Sequence, residues 1–266
     1  MTLRSSKKTK TCSCSCVKGK VRDNNEDNFY FAGKYLEPGS EGLEASISES
    51  IDLMKDDKRG HLFAVFDGMG GGQHGEVASY GAAKCMSEHV PQCEGPGDSE
   101  DALMLDALCK TLNDRVYAVG VQKDASVMGT TVAAMYFKGG RWWSCNVGDS
   151  RCYRLRGGVL EKLSEDHVEG LYSIDSVNKT KKPGLIQYLG MDPGEIILEP
   201  TIHSSDLQKG DTYLICSDGL TDMVTEADIA SLLNKAADAE EATAGLVELA
   251  LENGGKDNIT AIVCKC

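Results

Sequence analysis

Two spacings of apolar residues divide this chain: one recurs every second position, as in a strand, the other every third or fourth, as in a helix. Residues 11–17 (TCSCSCV) alternate and predict a strand, and residues 28–35 (NFYFAGKY) predict a second, rich in aromatics. Residues 61–66 read as a short buried strand. Helices are expected over residues 75–90 and 99–121, the latter with acidic residues in its first turn and Leu105, Leu108, Leu112 and Val116 at helical spacing. From Met128 the period returns to two. Residues 130–137 turn at Gly139-Gly140 into 142–147, and residues 151–156 turn at Gly157-Gly158 into 159–163, which together read as one antiparallel meander. Residues 211–217 and 258–266 predict two more buried strands, with helices over 227–236 and 239–252 between them.

Two stretches lack a clear period. Residues 37–60 are acidic and Ser- and Gly-containing, and read as a surface loop or insertion with weak helical character at 47–54. Residues 164–200 are polar, with turns at Pro183-Gly184 and Pro193-Gly194. Strands and helices fall in blocks, which favours an α+β fold of antiparallel sheets with helices on their outer faces. No linker or internal repeat is visible, so residues 11–266 are read as one domain behind a flexible N-terminus, residues 1–10.

Charge narrows the function. Among 266 residues, 41 acidic and 28 basic side chains leave a net charge of −13. That disfavours duplex DNA and anionic membranes as partners, and requires a local cation wherever an anionic substrate binds. The basic start (MTLRSSKKTK) has no apolar stretch behind it, so a secretory signal is not expected, and no run approaches a membrane span. A cytoplasmic monomer is the expectation. The 11 cysteines include no C-x-x-C pair and no zinc-finger spacing. They read as reduced thiols used as small hydrophobes, with Cys12, Cys14 and Cys16, and Cys264 and Cys266, each on one strand face and facing the core. None is read as a catalytic nucleophile.

The candidate chemistry is carboxylate. Apolar strands end in Glu26-Asp27, in Asp67 (VFDGMGG), in Asp149 (NVGDSR), in Asp218 and Asp222 (CSDGLTD), and in Asp257 (GGKDN). An Asp-Gly after a strand is usually a turn, so each alone is weak. A converging set of buried carboxylates needs cations, and oxygen ligands without His or Cys suit Mg²⁺ or Mn²⁺. A P-loop is excluded, because no Gly-Lys-Ser/Thr follows the glycine run.

The ordered series RDNNEDNFYF, VFDGMGG, MGTT, NVGDSR, LSEDH, CSDGLTD and GGKDNIT resembles the motifs of the metal-dependent protein Ser/Thr phosphatases of the 2C type, and DGMGG resembles their bacterial branch. The resemblance implies a four-layer αββα sandwich with a binuclear metal centre at one end, holding two Mn²⁺ or Mg²⁺ ions. It implies hydrolysis of phosphoserine and phosphothreonine monoesters in proteins by direct attack of a metal-bridging water. Arg22 matches the phosphate-binding arginine. Asp27, Asp67, Asp218 and Asp257 match metal ligands, with Asp67 the bridge, the Gly68 carbonyl a further ligand, and Glu26 acting through metal-bound water. Asn258 matches a residue supporting Asp257. Asp149, Asp218 and Asp222 match a third metal site of many bacterial members, and Gly129-Thr130-Thr131 reads as structural. The implied partners are phosphoproteins, the products of a Ser/Thr kinase.

Two departures stand out. Met69 occupies the position of a histidine that is a candidate general acid, and it cannot donate a proton. Nearby His74 reads as a polar residue at a helix start. Residues 168–190, the flap region, are compressed and Lys-rich (Lys179, Lys181, Lys182). The alternative function is a non-catalytic module of the same fold that binds phosphoproteins.

Overall fold

The computed structural model describes residues 11–38, 44–55, 60–69, 74–90, 98–125, 128–170 and 183–266. The expected flexible N-terminus, the glycines 70–72 and the three flap lysines lie outside the described residues. In chain order the elements are β1 (Cys12–Val17), β2 (Asp27–Phe31), β3 (Ala45–Glu49), β4 (His61–Met69), α1 (Gly75–His89), α2 (Asp98–Gln122), β5 (Gly129–Thr130), β6 (Val132–Lys138), β7 (Arg141–Val147), β8 (Arg151–Arg156), β9 (Val159–Lys162), β10 (Thr201–Asp206), β11 (Thr212–Cys216), α3 (Asp218–Thr221), α4 (Glu226–Lys235), α5 (Ala239–Glu252) and β12 (Ile259–Lys265). The strands form two antiparallel sheets, ordered β3-β1-β12-β11-β8-β9 and β10-β7-β6-β4-β2, with β5 pairing to the end of β4.

The sheets meet face to face over a core that includes Cys12, Cys14 and Cys16 from β1, Phe63 and Val65 from β4, Phe137 from β6, and Tyr213 from β11. Aromatic rings cross it: Phe31–Phe63, Phe63–Phe137 and Phe137–Tyr213 have centroids 5.3, 6.0 and 5.1 Å apart. Helices α1 and α2 cover the outer face of the second sheet, and α4 and α5 cover the first. This is the expected α+β sandwich of four layers. The cysteine alternation places thiols in the inter-sheet core as expected. The serines on the opposite face are also buried, because α5 packs over β1, where Thr243 donates to the Ser13 carbonyl at 3.4 Å. Helix α5 starts at the cap Asp238, which accepts from Glu241 N–H, while Glu241 reaches back to the Ala237 N–H.

Three expectations need correction. Residues 45–49 are a strand, not part of a helical loop: β3 pairs antiparallel along β1 from Cys12↔Glu49 to Cys16↔Ala45. Ile47 and Ile51, four apart, imitate helical spacing, yet both pack on the inter-sheet core. The edge of β1 supplied a ladder that outweighed the local pattern. The meander is split between sheets, with β6–β7 in one and β8–β9 in the other. The chain crosses at residues 148–150, where Gly148 has φ +101 and a Cβ would stand 2.6 Å from Thr131 Cγ2. Finally, β10 was not expected at all. Its sequence TIHSSD is polar because it is an exposed edge strand beside β7.

A buried ion pair ties β8 to β11. Asp211 is buried and accepts from Arg156 Nε and Nη2 at 2.7 and 2.6 Å, the Tyr213 hydroxyl at 2.9 Å, and the Gln208 N–H at 3.0 Å. Burial alone would raise its pKa; the Arg156 and Tyr213 donors reverse this and hold it below the ordinary carboxylate range. Its stabilisation is therefore present above about pH 4 and lost as pH falls further. Arg156→Ala is expected to cost about 3 kcal/mol in urea denaturation at neutral pH, the lower end for a broken buried pair because Arg156 is 28% exposed. The deficit narrows in titrations below about pH 4.

Candidate metal centre

Strand register gathers the carboxylates. Antiparallel pairing of β2 and β4 sets Asp27 opposite Asp67. In the other sheet Cys216 of β11 pairs with Ala261 of β12 on one side and Arg151 of β8 on the other. Asp218, Asp257 and Asp149 lie just beyond those partners, so all three leave the sheet at the same end. The two sheets are joined there, because the Ser217 and Thr260 hydroxyls each donate to Asp27 Oδ2 at 2.7 Å. Arg22 Nη2 donates to Asp257 Oδ2 at 2.6 Å, and the Glu26 N–H donates to Asn258 Oδ1 at 2.8 Å.

Close backbone approach makes this convergence possible. A Cβ on Gly68 would stand 2.2 Å from the Gly75 carbonyl and 2.4 Å from that of Glu26, so only glycine fits between β2 and the start of α1. At Gly219 a Cβ would stand 2.0 Å from the Asn258 carbonyl, which presses the Asp218 turn against Asp257-Asn258. Thr130 and Thr131 act as a clamp on Asp67. The Thr130 hydroxyl and the Thr131 N–H both donate to its carbonyl at 2.9 Å, and its N–H donates to the Thr131 hydroxyl at 3.1 Å. The structural reading of MGTT agrees with this arrangement.

Asn258 is a hub. Besides accepting from Glu26, its amide donates to the carbonyls of Lys18 and Asn24 at 2.9 and 2.8 Å. It therefore supports the loop that carries Arg22 and Glu26 as well as its neighbour Asp257. The third-site trio is less compact: Asp149 is buried in the crossing turn, while Asp222 is exposed at the C-cap of α3.

Among the described residues no three His, Cys, Asp or Glu side chains stand close enough to hold an ion as they are. Arg22 draws Asp257 aside and the two hydroxyls engage Asp27. The electrostatics nevertheless suit a hard cation. Burial raises the Asp27 pKa well above the carboxylate range; the Thr260 and Ser217 hydroxyls lower it, and the charges of Asp257 and Glu26 raise it again. Glu26 is raised first by burial and then by the charge of Glu76, with Arg22 only partly opposing. The donors are carboxylate and carbonyl oxygens, and negative charge exceeds the positive charge beside it. That is the donor set of Mg²⁺ or Mn²⁺.

The remaining expectations sort plainly. Met69 ends β4 opposite Gly129. His74 begins α1 with a left-handed backbone (φ 78) and no side-chain cap bond, a helix-start residue as expected. Cys145 and Arg151 carry the Cys-x5-Arg spacing of cysteine-dependent phosphatases. The structure shows no such phosphate loop. Cys145 is buried in β7 with its sulfur 3.3 Å from that of Cys109, and Arg151 forks onto Asp166 through Nε and Nη2. The flap's two described ends are pinned, with the His167 N–H on the Gly148 carbonyl at 3.0 Å and Leu189 bridged to Thr130. Sequence reasoning passed over Asn25, Glu76, Ser217 and Thr260. The available signal was a polar residue inside an otherwise apolar strand, as with Thr260 in NITAIVC.

Fold and site together define a two-sheet α+β protein whose strand ends bring carboxylates to one end of the sandwich. A profile described as "Protein phosphatase 2C" matches residues 50–252. The serine/threonine protein phosphatase PstP of Mycobacterium tuberculosis is 33% identical over 254 residues, covering 92% of this chain and 43% of PstP. The serine/threonine phosphatase stp of Listeria innocua is 29% identical, with 92% of each chain covered. The crystal structure of the PstP catalytic domain in complex with two manganese ions superposes with a TM-score of 0.72 at 31% identity, covering 96% of both chains. The chain belongs to the protein phosphatase 2C family of serine/threonine protein phosphatase enzymes. It spans less than half the length of PstP and nearly all of the Listeria relative.

Replacing Asn258 by Ala removes three hydrogen bonds, to the Glu26 N–H and to the Lys18 and Asn24 carbonyls. A loss of about 2–3 kcal/mol in urea denaturation is expected, with faster amide exchange confined to residues 18–26 and 257–260.

Proposed function

We propose that this protein hydrolyses phosphoserine and phosphothreonine monoesters in proteins with the help of two Mn²⁺ or Mg²⁺ ions. The observation that carries the reading is the placement of Asp27, Asp67, Asp218 and Asp257 at one end of the sandwich by strand register and two close-packed glycines, with Arg22 bonded to Asp257. Bound there, the ions would supply Lewis acidity and a water ionised near neutral pH.

The chain's own groups divide the remaining work. Asp27, Asp67, Asp218, Asp257 and the Gly68 carbonyl would hold the cations, and Glu26 would orient solvent beside them. Arg22 is bonded to Asp257 through Nη2 and is 51% exposed, which leaves further guanidinium N–H donors for a phosphate dianion. Its charge also offsets the −13 field at the point of substrate entry. Asp149 and Asp222 with Asp218 would take a third ion. Met69 leaves the departing serine or threonine oxygen without a protein acid from that position, so its proton comes from solvent.

We place the enzyme in the cytoplasm as a monomer, opposite a Ser/Thr kinase. Nine buried free thiols among the described residues support a reducing compartment. No helix among them is long and apolar enough to cross a membrane.

On a phosphothreonine peptide, turnover is expected to need added Mn²⁺ and to vanish with chelator. Asp67→Asn and Asp218→Asn should each lower kcat by roughly 10³-fold with unchanged far-ultraviolet circular dichroism, the loss of several kcal/mol of metal stabilisation. Full activity in chelator would refute the reading. Tight Mn²⁺ and phosphopeptide binding without turnover would favour the non-catalytic module.

A further inference from the structure

The hydrogen bonds around Asp27 close into a ring. The Asp27 N–H donates to Asn25 Oδ1 at 3.1 Å, and Asn25 Nδ2 donates to Cys16 Sγ at 3.2 Å. Cys16 Sγ lies 3.1 Å from Thr260 Oγ1, which is 2.7 Å from Asp27 Oδ2. Thr260 Oγ1 stands between two acceptors, Cys16 Sγ and Asp27 Oδ2, and shares its single proton between them. The contacts therefore run from the Asp27 N–H through Asn25, Cys16 and Thr260 back to Asp27 Oδ2.

Ser217 braces the ring from the other side, donating to the same Oδ2 at 2.7 Å and accepting the Thr260 N–H at 3.0 Å. Cys16, Asn25, Ser217 and Thr260 are all buried and come from β1, the loop before β2, the end of β11 and β12. Asp27 Oδ1 accepts none of these bonds. Cys16 therefore differs from Cys12 and Cys14, which pack in the core without taking part in this ring of contacts.

We propose that Asn25, Cys16, Thr260 and Ser217 are positioning residues that hold Asp27 by its N–H and Oδ2, so that Oδ1 is presented to the divalent cation. The inference rests on the metal-dependent reading above. A ligand held at one oxygen has already lost its rotamer freedom when the cation arrives, and outer partners of this kind commonly govern metal affinity. Serine can replace either Cys16 or Thr260 in the ring, because a hydroxyl both donates and accepts. Alanine or valine cannot.

The test is calorimetric titration of the full chain with Mn²⁺, with melting in chelator as the check on folding. Thr260→Val is expected to weaken Mn²⁺ binding by about 10–100-fold, and Cys16→Ala by roughly 10-fold. Thr260→Ser and Cys16→Ser should bind like the parent. The Thr260→Val/Cys16→Ala double variant should be no weaker than Thr260→Val alone, since both act through one chain. Parent-like affinity in folded Thr260→Val, or Ser variants as weak as their apolar counterparts, overturns the proposal. If Thr260→Val does not fold, equal affinities of Cys16→Ala and Cys16→Ser overturn it. A parent chain that binds no Mn²⁺ overturns instead the metal-dependent reading on which the ring's role depends.

Discussion

Like charges brought together out of water repel, and the end of this sandwich is organised around that repulsion. Asp27 is 3% exposed, opposite Asp67 across a strand pair, with Glu26 and Asp257 raising its pKa further. Arg22 meets Asp257 but is itself half exposed, so screening by water limits what it offsets. The remaining negative charge would favour a hard divalent ion at this end. Without such convergence the loops at this end would be ordinary turns.

The fold tolerates this arrangement because the strain is distributed over rigid neighbours. Two sheets, cross-linked by interdigitated aromatics and thiols, fix the strand ends to within hydrogen-bond tolerance. The backbone supplies most of the fine positioning, through the Thr130-Thr131 clamp on Asp67 and the contacts at Gly68 and Gly219. Asn258 then couples the loop bearing Arg22 to the strand bearing Asp257. Side chains set on strand ends are held more firmly than those on free loops.

Beside these carboxylates Met69 ends β4 opposite Gly129, and the chain on either side of residues 171–182 is fastened to the crossing turn and to β5.

How much could be read without coordinates follows from the range of each interaction. The sequence by itself determined the elements whose patterns are local and strong: α5 at 239–252, the 151–156 strand, and the buried β11 and β12. It also supplied the candidate chemistry, an ordered series of aspartates beside apolar strands at Asp27, Asp67, Asp149, Asp218 and Asp257. Tertiary structure alone decided the rest. That Ala45–Glu49 is a strand depends on the free edge of β1. That β7 and β8 belong to different sheets depends on a turn which sequence shows only as Gly-Asp-Ser. That Thr260 and Ser217 reach Asp27 across 190 or more residues depends on two sheets sharing one end. Local pattern carries information over a turn or two of chain, whereas these contacts are selected by the packing of distant segments, where burial and hydrogen-bond satisfaction outweigh intrinsic preference.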